Sequence, residues 1–243
     1  MCRMIAFAST EPVDVAPYLG HLSEFARSGN FVEGWEKRPG GNHPDGWGIA
    51  WRQGEEIRVL RSGNPACADP QLFEVRARTD RFIGHVRYAS NTATVNAANS
   101  HPFFALGAAL AHNGTFWGTI GEEARRRNVS DTLVFLERLC ALWHERSFPR
   151  LKEAIAEIID SPESVGDYSA ANLLIASGES LFALRRYRRR EEYYTLYLRT
   201  SPGQVVVASQ PLDGEPGWRP LGNGELVEMD PRAPRSVFLP VPT

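Results

Sequence analysis

Short apolar runs separated by turn residues dominate the first part of the chain. Val15, Leu19 and Leu22 recur at helical spacing, which predicts a helix over residues 13–27. A second helix is predicted over residues 69–79. Apolar or alternating stretches predict strands at 3–9, 45–51, 56–61, 82–89 and 104–111.

The second part of the chain begins with two adjacent helical patterns. Ser130 is a good N-cap for a helix over residues 130–145, and a helix over 150–159 ends before Ser161-Pro162. The rest is rich in strand patterns, at 172–176, 181–186, 193–199, 204–209, 226–230 and 236–239. Turn residues between them predict sequential antiparallel pairing. Strands, two helices and more strands indicate helices packed on sheet faces rather than parallel βαβ units.

Size and charge narrow the class of protein. With 243 residues, 42% of them hydrophobic, the chain can bury a large core, and we expect one domain over residues 1–243. The formal net charge of −2 provides no basic field for nucleic acid and favours a small neutral or zwitterionic partner. The basic run at 185–190 adjoins Glu191 and Glu192, which predicts a solvated turn.

Cysteine use and hydropathy indicate the compartment. Cys2, Cys67 and Cys140 form no CxxC pair and are odd in number, which argues against a disulfide framework. No apolar run is long enough for a membrane span, and the N-terminus lacks the pattern of a signal peptide. We therefore expect a cytoplasmic protein with no membrane contact.

Cys2 is the most informative residue of the chain. Removal of Met1 would put a thiol and a free α-amine on one residue. A thiol ordinarily titrates near ~8.5 and an α-amine near ~7.7 to 8.0, so the amine can accept the thiol proton at neutral pH. The alternative is that Cys2 is a small apolar residue that opens a buried strand.

Four further segments carry polar residues in a suggestive order: 84–90 (GHVRYAS), 99–103 (NSHPF), 111–114 (AHNG) and 130–132 (SDT). Each has an ordinary explanation: Arg87 could form a surface ion pair, Asn113-Gly114 a hairpin turn, and Asp131 a favourable contact with a helix dipole. Together, behind an N-terminal cysteine, they resemble the glutaminase domain of class II glutamine amidotransferases, which have the N-terminal-nucleophile hydrolase fold. The stretches 45–48 (DGWG), 208–212 (ASQPL) and 218–220 (WRP) extend the resemblance over nearly the whole chain.

The resemblance implies an α+β fold, a four-layer α/β/β/α sandwich of two antiparallel sheets flanked by helices. It also implies that Cys2 attacks the amide carbon of glutamine and forms a γ-glutamyl thioester, with the Asn113 side chain and the Gly114 backbone N–H as the oxyanion hole. Arg87 would bind the α-carboxylate of the substrate and Asp131 its α-ammonium group. The pocket is expected to be lined by Tyr88, Ser90 and His101.

No cofactor is expected. His85, His101 and His112 lie near these motifs, but their spacing with Cys2 fits no zinc signature, and we expect them to hold loops through hydrogen bonds. Residues 40–46 lack the lysine and hydroxyl of a phosphate-binding loop, so the sequence does not support nucleotide binding.

Several functional alternatives stay open. The ammonia released from glutamine could pass to a separate synthase in trans. The same chemistry could instead trim a γ-glutamyl group from another compound, as the ergothioneine-pathway amidohydrolases of the family do. A non-catalytic glutamine-binding module and a redox-sensing thiol at Cys2 are the other two candidates. The loop over residues 29–44 would decide what lies beyond the amide.

Overall fold

Two antiparallel sheets form the centre of the computed structural model, which describes residues 2–29, 41–89, 92–161, 163–165 and 167–241. The helices are α1 (Ala16–Arg27), α2 (Pro70–Glu74), α3 (Gly118–Arg127), α4 (Asp131–Leu142) and α5 (Phe148–Ile159). The strands are β1 (Arg3–Asp14), β2 (Trp47–Gln53), β3 (Glu56–Ser62), β4 (Arg78–Val86), β5 (Phe103–Ala105), β6 (Ala108–Phe116), β7 (Tyr168–Ser177), β8 (Ser180–Arg185), β9 (Tyr197–Ser201), β10 (Gln204–Ala208), β11 (Arg219–Pro220), β12 (Glu225–Glu228) and β13 (Arg235–Phe238).

The two sheets contain strands from both parts of the chain. Sheet A has the order β11-β9-β10-β1-β4-β2-β3, and sheet B has the order β13-β12-β8-β7-β6-β5. The predicted sequential pairing holds within the hairpins β7–β8, β9–β10 and β12–β13. It is wrong between these hairpins, because β10 pairs with β1 in sheet A while β12 pairs with β8 in sheet B.

Alternating side chains divide the interior into three apolar layers. Between the sheets, Met4, Ala6 and Ala8 of β1 share a cluster with Ala109 and Leu174 of sheet B. The outer face of sheet A is covered by α1, and that of sheet B by α4 and α5. This arrangement confirms the predicted four-layer sandwich. No described helix is both long and apolar enough to cross a membrane.

The helices over 69–79 and 13–27 are shorter than predicted. The helix predicted over 69–79 is limited to Pro70–Glu74, because Arg78 and Thr79 belong to β4 and pair with the end of β1. The same pairing keeps Val13 and Asp14 in β1, so α1 begins only at Ala16.

Two further differences lie around β5, β6 and α3. The strand predicted over 104–111 is a hairpin of β5 and β6 that turns at Leu106 and Gly107, both with positive φ. The pattern analysis did not predict α3, because this helix is mostly polar and buries only Ile120, Gly121 and Ala124. By contrast, Ser130 caps α4 as expected, since its side chain accepts a hydrogen bond from the backbone N–H of Thr132.

The basic run at 185–190 is only partly a solvated turn. Arg188, Arg189 and Arg190 are exposed, but Arg185 and Arg186 are buried. The Arg185 guanidinium donates to the carbonyl oxygens of Tyr194, Leu221 and Glu191, at 2.9, 2.6 and 2.8 Å. Arg186 donates to the Tyr168 hydroxyl at 2.7 Å and pairs with Asp160. The prediction is wrong for these two residues, because local charge density does not reveal carbonyl acceptors that are distant in sequence.

Candidate active site

Cys2 lies directly before β1, next to residues of both sheets. Its backbone nitrogen donates a hydrogen bond to Oδ1 of Asn113 at 3.2 Å. Its sulfur accepts one from the backbone N–H of Tyr88 at 3.4 Å. Cys2 is half-buried and lines a pocket, so its sulfur is not sealed in the core. A backbone donor at the sulfur can stabilise negative charge there.

Asn113 and Gly114 lie inside β6 and do not form a hairpin turn, because they pair with Asn172 and Ala171 of β7. Asn113 is almost fully buried, and its Nδ2 has no hydrogen-bond partner among the described residues. Gly114 has φ +150°, and a Cβ built on it would lie 1.9 Å from the carbonyl oxygen of Ala170. Only glycine therefore fits at this position.

Arg87 and Asp131 provide one cation and one anion in the same pocket. The Arg87 guanidinium donates to the carbonyl and hydroxyl oxygens of Thr94, at 2.6 and 2.8 Å. Burial lowers the pKa of Arg87, and negative charge at Cys2, Asp45 and Asp131 opposes that shift. Arginine remains a cation in proteins despite such shifts.

Asp131 is the first residue of α4, where the helix dipole favours a negative charge. Its carboxylate accepts from the backbone N–H groups of Phe116 and Thr132, at 2.7 and 2.8 Å, and from the Ser130 hydroxyl at 3.2 Å. These donors fix the carboxylate at the pocket wall.

The pocket has a volume of about 360 Å³. Six of the predicted site residues line it, namely Cys2, Arg87, Tyr88, His101, Gly114 and Asp131. Asn113 is buried beside Cys2, and Ser90 lies outside the described residues. Thr94 and Trp117 also line the pocket and were not predicted. Thr94 had no local signal, because its contact with Arg87 depends on a short turn of 3₁₀-helix (Thr92–Thr94).

Buried histidines support the walls of the pocket. Nδ1 of His101 is 3.0 Å from the carbonyl oxygen of His112. His112 contacts the Ala170 carbonyl through Nε2 and the Thr132 hydroxyl through Nδ1, each at 3.0 Å. A carbonyl only accepts, so Nε2 carries the proton and Nδ1 can accept from Thr132. Among the described side chains, no group of three or more His, Cys, Asp or Glu could hold a metal ion.

His85 gives the fold a predicted sensitivity to acid. Burial, with added repulsion from Arg87, lowers the pKa of His85 to about 3. The unfolded chain takes up this proton below pH ~6.5 while the folded chain does not, so stability falls as the pH drops from ~6.5 towards ~3. Between pH ~7 and ~5, the free energy of unfolding should fall by about 2 kcal/mol less in His85→Leu than in the wild type. Urea unfolding at both pH values measures this difference.

His144 is exposed and provides the control. His144→Gln should show the same pH dependence as the wild type. A wild-type pH dependence in His85→Leu would contradict a buried, neutral His85.

Residues 1–202 match the family described as Glutamine amidotransferases class-II. The chain belongs to the class II glutamine amidotransferases. Protein MJ1515 of Methanocaldococcus jannaschii is 28% identical over 225 residues, a match that covers 76% of this chain and 61% of that protein. The gamma-glutamyl-hercynylcysteine sulfoxide hydrolase of Mycolicibacterium smegmatis is 27% identical over 189 residues, covering 76% of this chain and 77% of that enzyme.

A solved structure of the same class shares the fold. The glutamine phosphoribosylpyrophosphate amidotransferase of B. subtilis superposes with a TM-score of 0.64 at 19% identity, covering 98% of this chain and 49% of that chain. The likeness confirms the N-terminal-nucleophile hydrolase type of sandwich that the sequence predicted. Membership of the class II glutamine amidotransferases and the similarity to a named hydrolase support an enzyme.

Proposed function

We propose that this amidotransferase hydrolyses the side-chain amide of glutamine to glutamate and ammonia, with Cys2 as nucleophile once Met1 has been removed. The observation that carries this proposal is the contact between the Cys2 nitrogen and Asn113 Oδ1. It leaves the two Asn113 Nδ2 protons beside the nucleophile with no hydrogen-bond acceptor in the described part of the chain. A nucleophile, a base and an oxyanion donor thus belong to two neighbouring residues.

The reaction balances with these groups alone. The α-amine of Cys2 takes the thiol proton, and the sulfur attacks the amide carbon of the substrate. Asn113 Nδ2 and the Gly114 N–H donate to the resulting oxyanion. When the carbon–nitrogen bond breaks, the α-ammonium group returns its proton to the departing ammonia. Water then attacks the γ-glutamyl thioester, which releases glutamate and restores the thiol.

The pocket charges match the zwitterionic end of the substrate. Arg87 presents a planar guanidinium, already oriented by Thr94, to the α-carboxylate. Asp131 presents an oriented carboxylate to the α-ammonium group. In this assignment Tyr88 and His101, which line the pocket, shape the space between the two ends. Arg87 and Asp131 together form a clamp. This clamp recognises the glutamyl group and not the group attached to its side-chain nitrogen.

Loss of either charge of the clamp is expected to raise the KM for glutamine much more than it lowers kcat. A hydrogen bond to a charged group contributes ~1.5 to 3 kcal/mol, so Arg87→Ala should raise the KM for glutamine about 10- to 100-fold. Its kcat should change much less. Asp131→Asn should act in the same direction. Steady-state glutamate release at varied glutamine concentrations measures both constants.

The exposed Arg126 lies outside the pocket lining and serves as control. Arg126→Ala should keep the wild-type KM. An unchanged KM in Arg87→Ala would remove this residue from the clamp.

A second candidate is hydrolysis of another γ-glutamyl compound. The match to the M. smegmatis gamma-glutamyl-hercynylcysteine sulfoxide hydrolase favours it. The test is to incubate the Met-trimmed protein with glutamine and a panel of γ-glutamyl amides and to measure the glutamate released from each. The fastest release from glutamine supports the first candidate, and the fastest release from a larger γ-glutamyl compound supports the second. No release from any member contradicts both and favours a binding module.

Three further expectations complete the proposal. Residues 1–243 act as one domain in the cytoplasm. The ammonia is either released or passed to a separate synthase in trans. Coupled assays that add a candidate ammonia acceptor distinguish these two fates.

A further inference from the structure

A second buried amide lies beside Asn113 between the two sheets. Ala111 and Leu174 face the layer between the sheets, and Asn113 and Asn172 continue the same alternation on β6 and β7. The two asparagines are direct partners in the antiparallel register. Side chains of such partners share a face, with Cβ atoms about 4.5–5.5 Å apart. Asn172 is therefore a neighbour of the residue that contacts Cys2.

The hydrogen bonds of Asn172 leave its amide nitrogen unused. Asn172 is fully buried, and its Oδ1 accepts from the backbone N–H of Arg186 at 3.1 Å. A backbone N–H can only donate, so the oxygen must point to Arg186 and the nitrogen must point away. Nδ2 has no hydrogen-bond partner among the described residues. Such a group costs ~1 to 3 kcal/mol, and leucine would suit the apolar layer better.

Two buried tyrosines pack against the strand that carries Asn172. Ala170, which precedes Asn172 on the same face of β7, packs against Tyr193 and Tyr194. Burial raises the pKa of Tyr194, and negative charge at Cys2 adds to that rise. The buried Arg185 donates to the Tyr194 carbonyl, and the charge of Arg87 also acts on Cys2. Asn172 is therefore a neighbour of Asn113 across the register and of Ala170 along the same face of β7.

We propose that Asn172 is a positioning residue that acts through Asn113, an inference that rests on the proposed function. The Asn113 amide has two orientations related by a half-turn, and only one of them directs Oδ1 to the Cys2 nitrogen and leaves Nδ2 for the substrate. The positive end of the Asn172 amide favours a neighbouring oxygen over a neighbouring nitrogen. Asn172 thereby holds Asn113 in the orientation that serves both the base and the oxyanion hole.

Two variants test this role. Asn172→Leu removes the amide at similar volume, and Asn172→Asp keeps an acceptor for the Arg186 N–H but has no amide protons. Both should lower kcat for glutamine about tenfold while KM stays within about twofold, because the clamp is untouched. The control is Asn223→Leu, which removes a half-buried amide whose two ends both bond the backbone of Tyr187. It should keep the wild-type kcat.

A substrate-independent measurement separates this inference from the proposed function. Iodoacetamide alkylation of Cys2 at neutral pH, followed by peptide mass with Cys67 as internal reference, should be about fivefold slower in Asn172→Leu than in the wild type. Equal alkylation rates, a wild-type kcat in either Asn172 variant, or an equal loss of kcat in Asn223→Leu would overturn the inference. Absence of glutamate release from the wild type would overturn the proposed function and leave the alkylation comparison valid.

Discussion

Cys2→Ala is expected to abolish glutamate release, with kcat at least about 10⁴-fold below that of the wild type. The variant removes the sulfur but keeps the α-amine and the contact of that amine with Asn113. Without the sulfur no thioester can form, and water would have to attack the amide directly. Glutamine binding should persist, because Arg87 and Asp131 are unchanged. Glutamate release and calorimetric binding measure the two effects separately.

The other two cysteines provide matched controls. Cys140 is buried against the Ala105 carbonyl and Cys67 is half-buried outside the pocket lining. Cys67→Ala and Cys140→Ala should keep wild-type turnover in protein that stays folded. Turnover retained in Cys2→Ala would contradict the assignment of the nucleophile.

Asn113→Leu is expected to lower kcat about 10²- to 10³-fold, with little change in KM. One oxyanion donor contributes ~2.7 to 4 kcal/mol to the transition state, and this substitution removes both that donor and the acceptor for the Cys2 nitrogen. Asn113→Asp separates the two roles, because it keeps the acceptor and loses the amide protons. It should retain Cys2 alkylation and still lose turnover.

The measurement combines steady-state kinetics with alkylation of Cys2 in both variants. If Asn113→Asp hydrolysed glutamine as fast as the wild type, Asn113 would not donate to the oxyanion. If Asn113→Leu changed only KM, the residue would belong to substrate binding instead.

The sequence revealed the family and the fold because the family chemistry needs particular residue types at a few separated positions. Cys2 near the start of the chain, Arg87 near the end of a predicted strand, the Asn113-Gly114 pair and Asp131 at a predicted helix start can each be read locally. The match over residues 1–202 and the two antiparallel sheets confirm the predicted family and sandwich. The individual roles of these residues stay predictions, to be tested by the variants above.

Long-range contacts could not be read in the same way. The pairing of β10 with β1 determines which sheet β9 and β10 join, and no local pattern encodes that choice. The burial of Arg185 depends on carbonyl groups of Tyr194 and Leu221, which are distant in sequence. Asn172 is the single polar residue of the strand predicted over 172–176, and its position beside Asn113 becomes visible only through the register.

The proposed mechanism requires a covalent γ-glutamyl group on the sulfur of an N-terminal Cys2. The most direct test is to mix Met-trimmed protein with glutamine, quench in acid within one turnover and determine the mass of the N-terminal peptide. We expect a mass increase equal to one γ-glutamyl group on Cys2. This increase should be absent in Cys2→Ala, and in the wild type it should decay as the thioester is hydrolysed. If glutamate is released with no adduct on the N-terminal peptide, or with the adduct on Cys67 or Cys140, Cys2 is not the nucleophile.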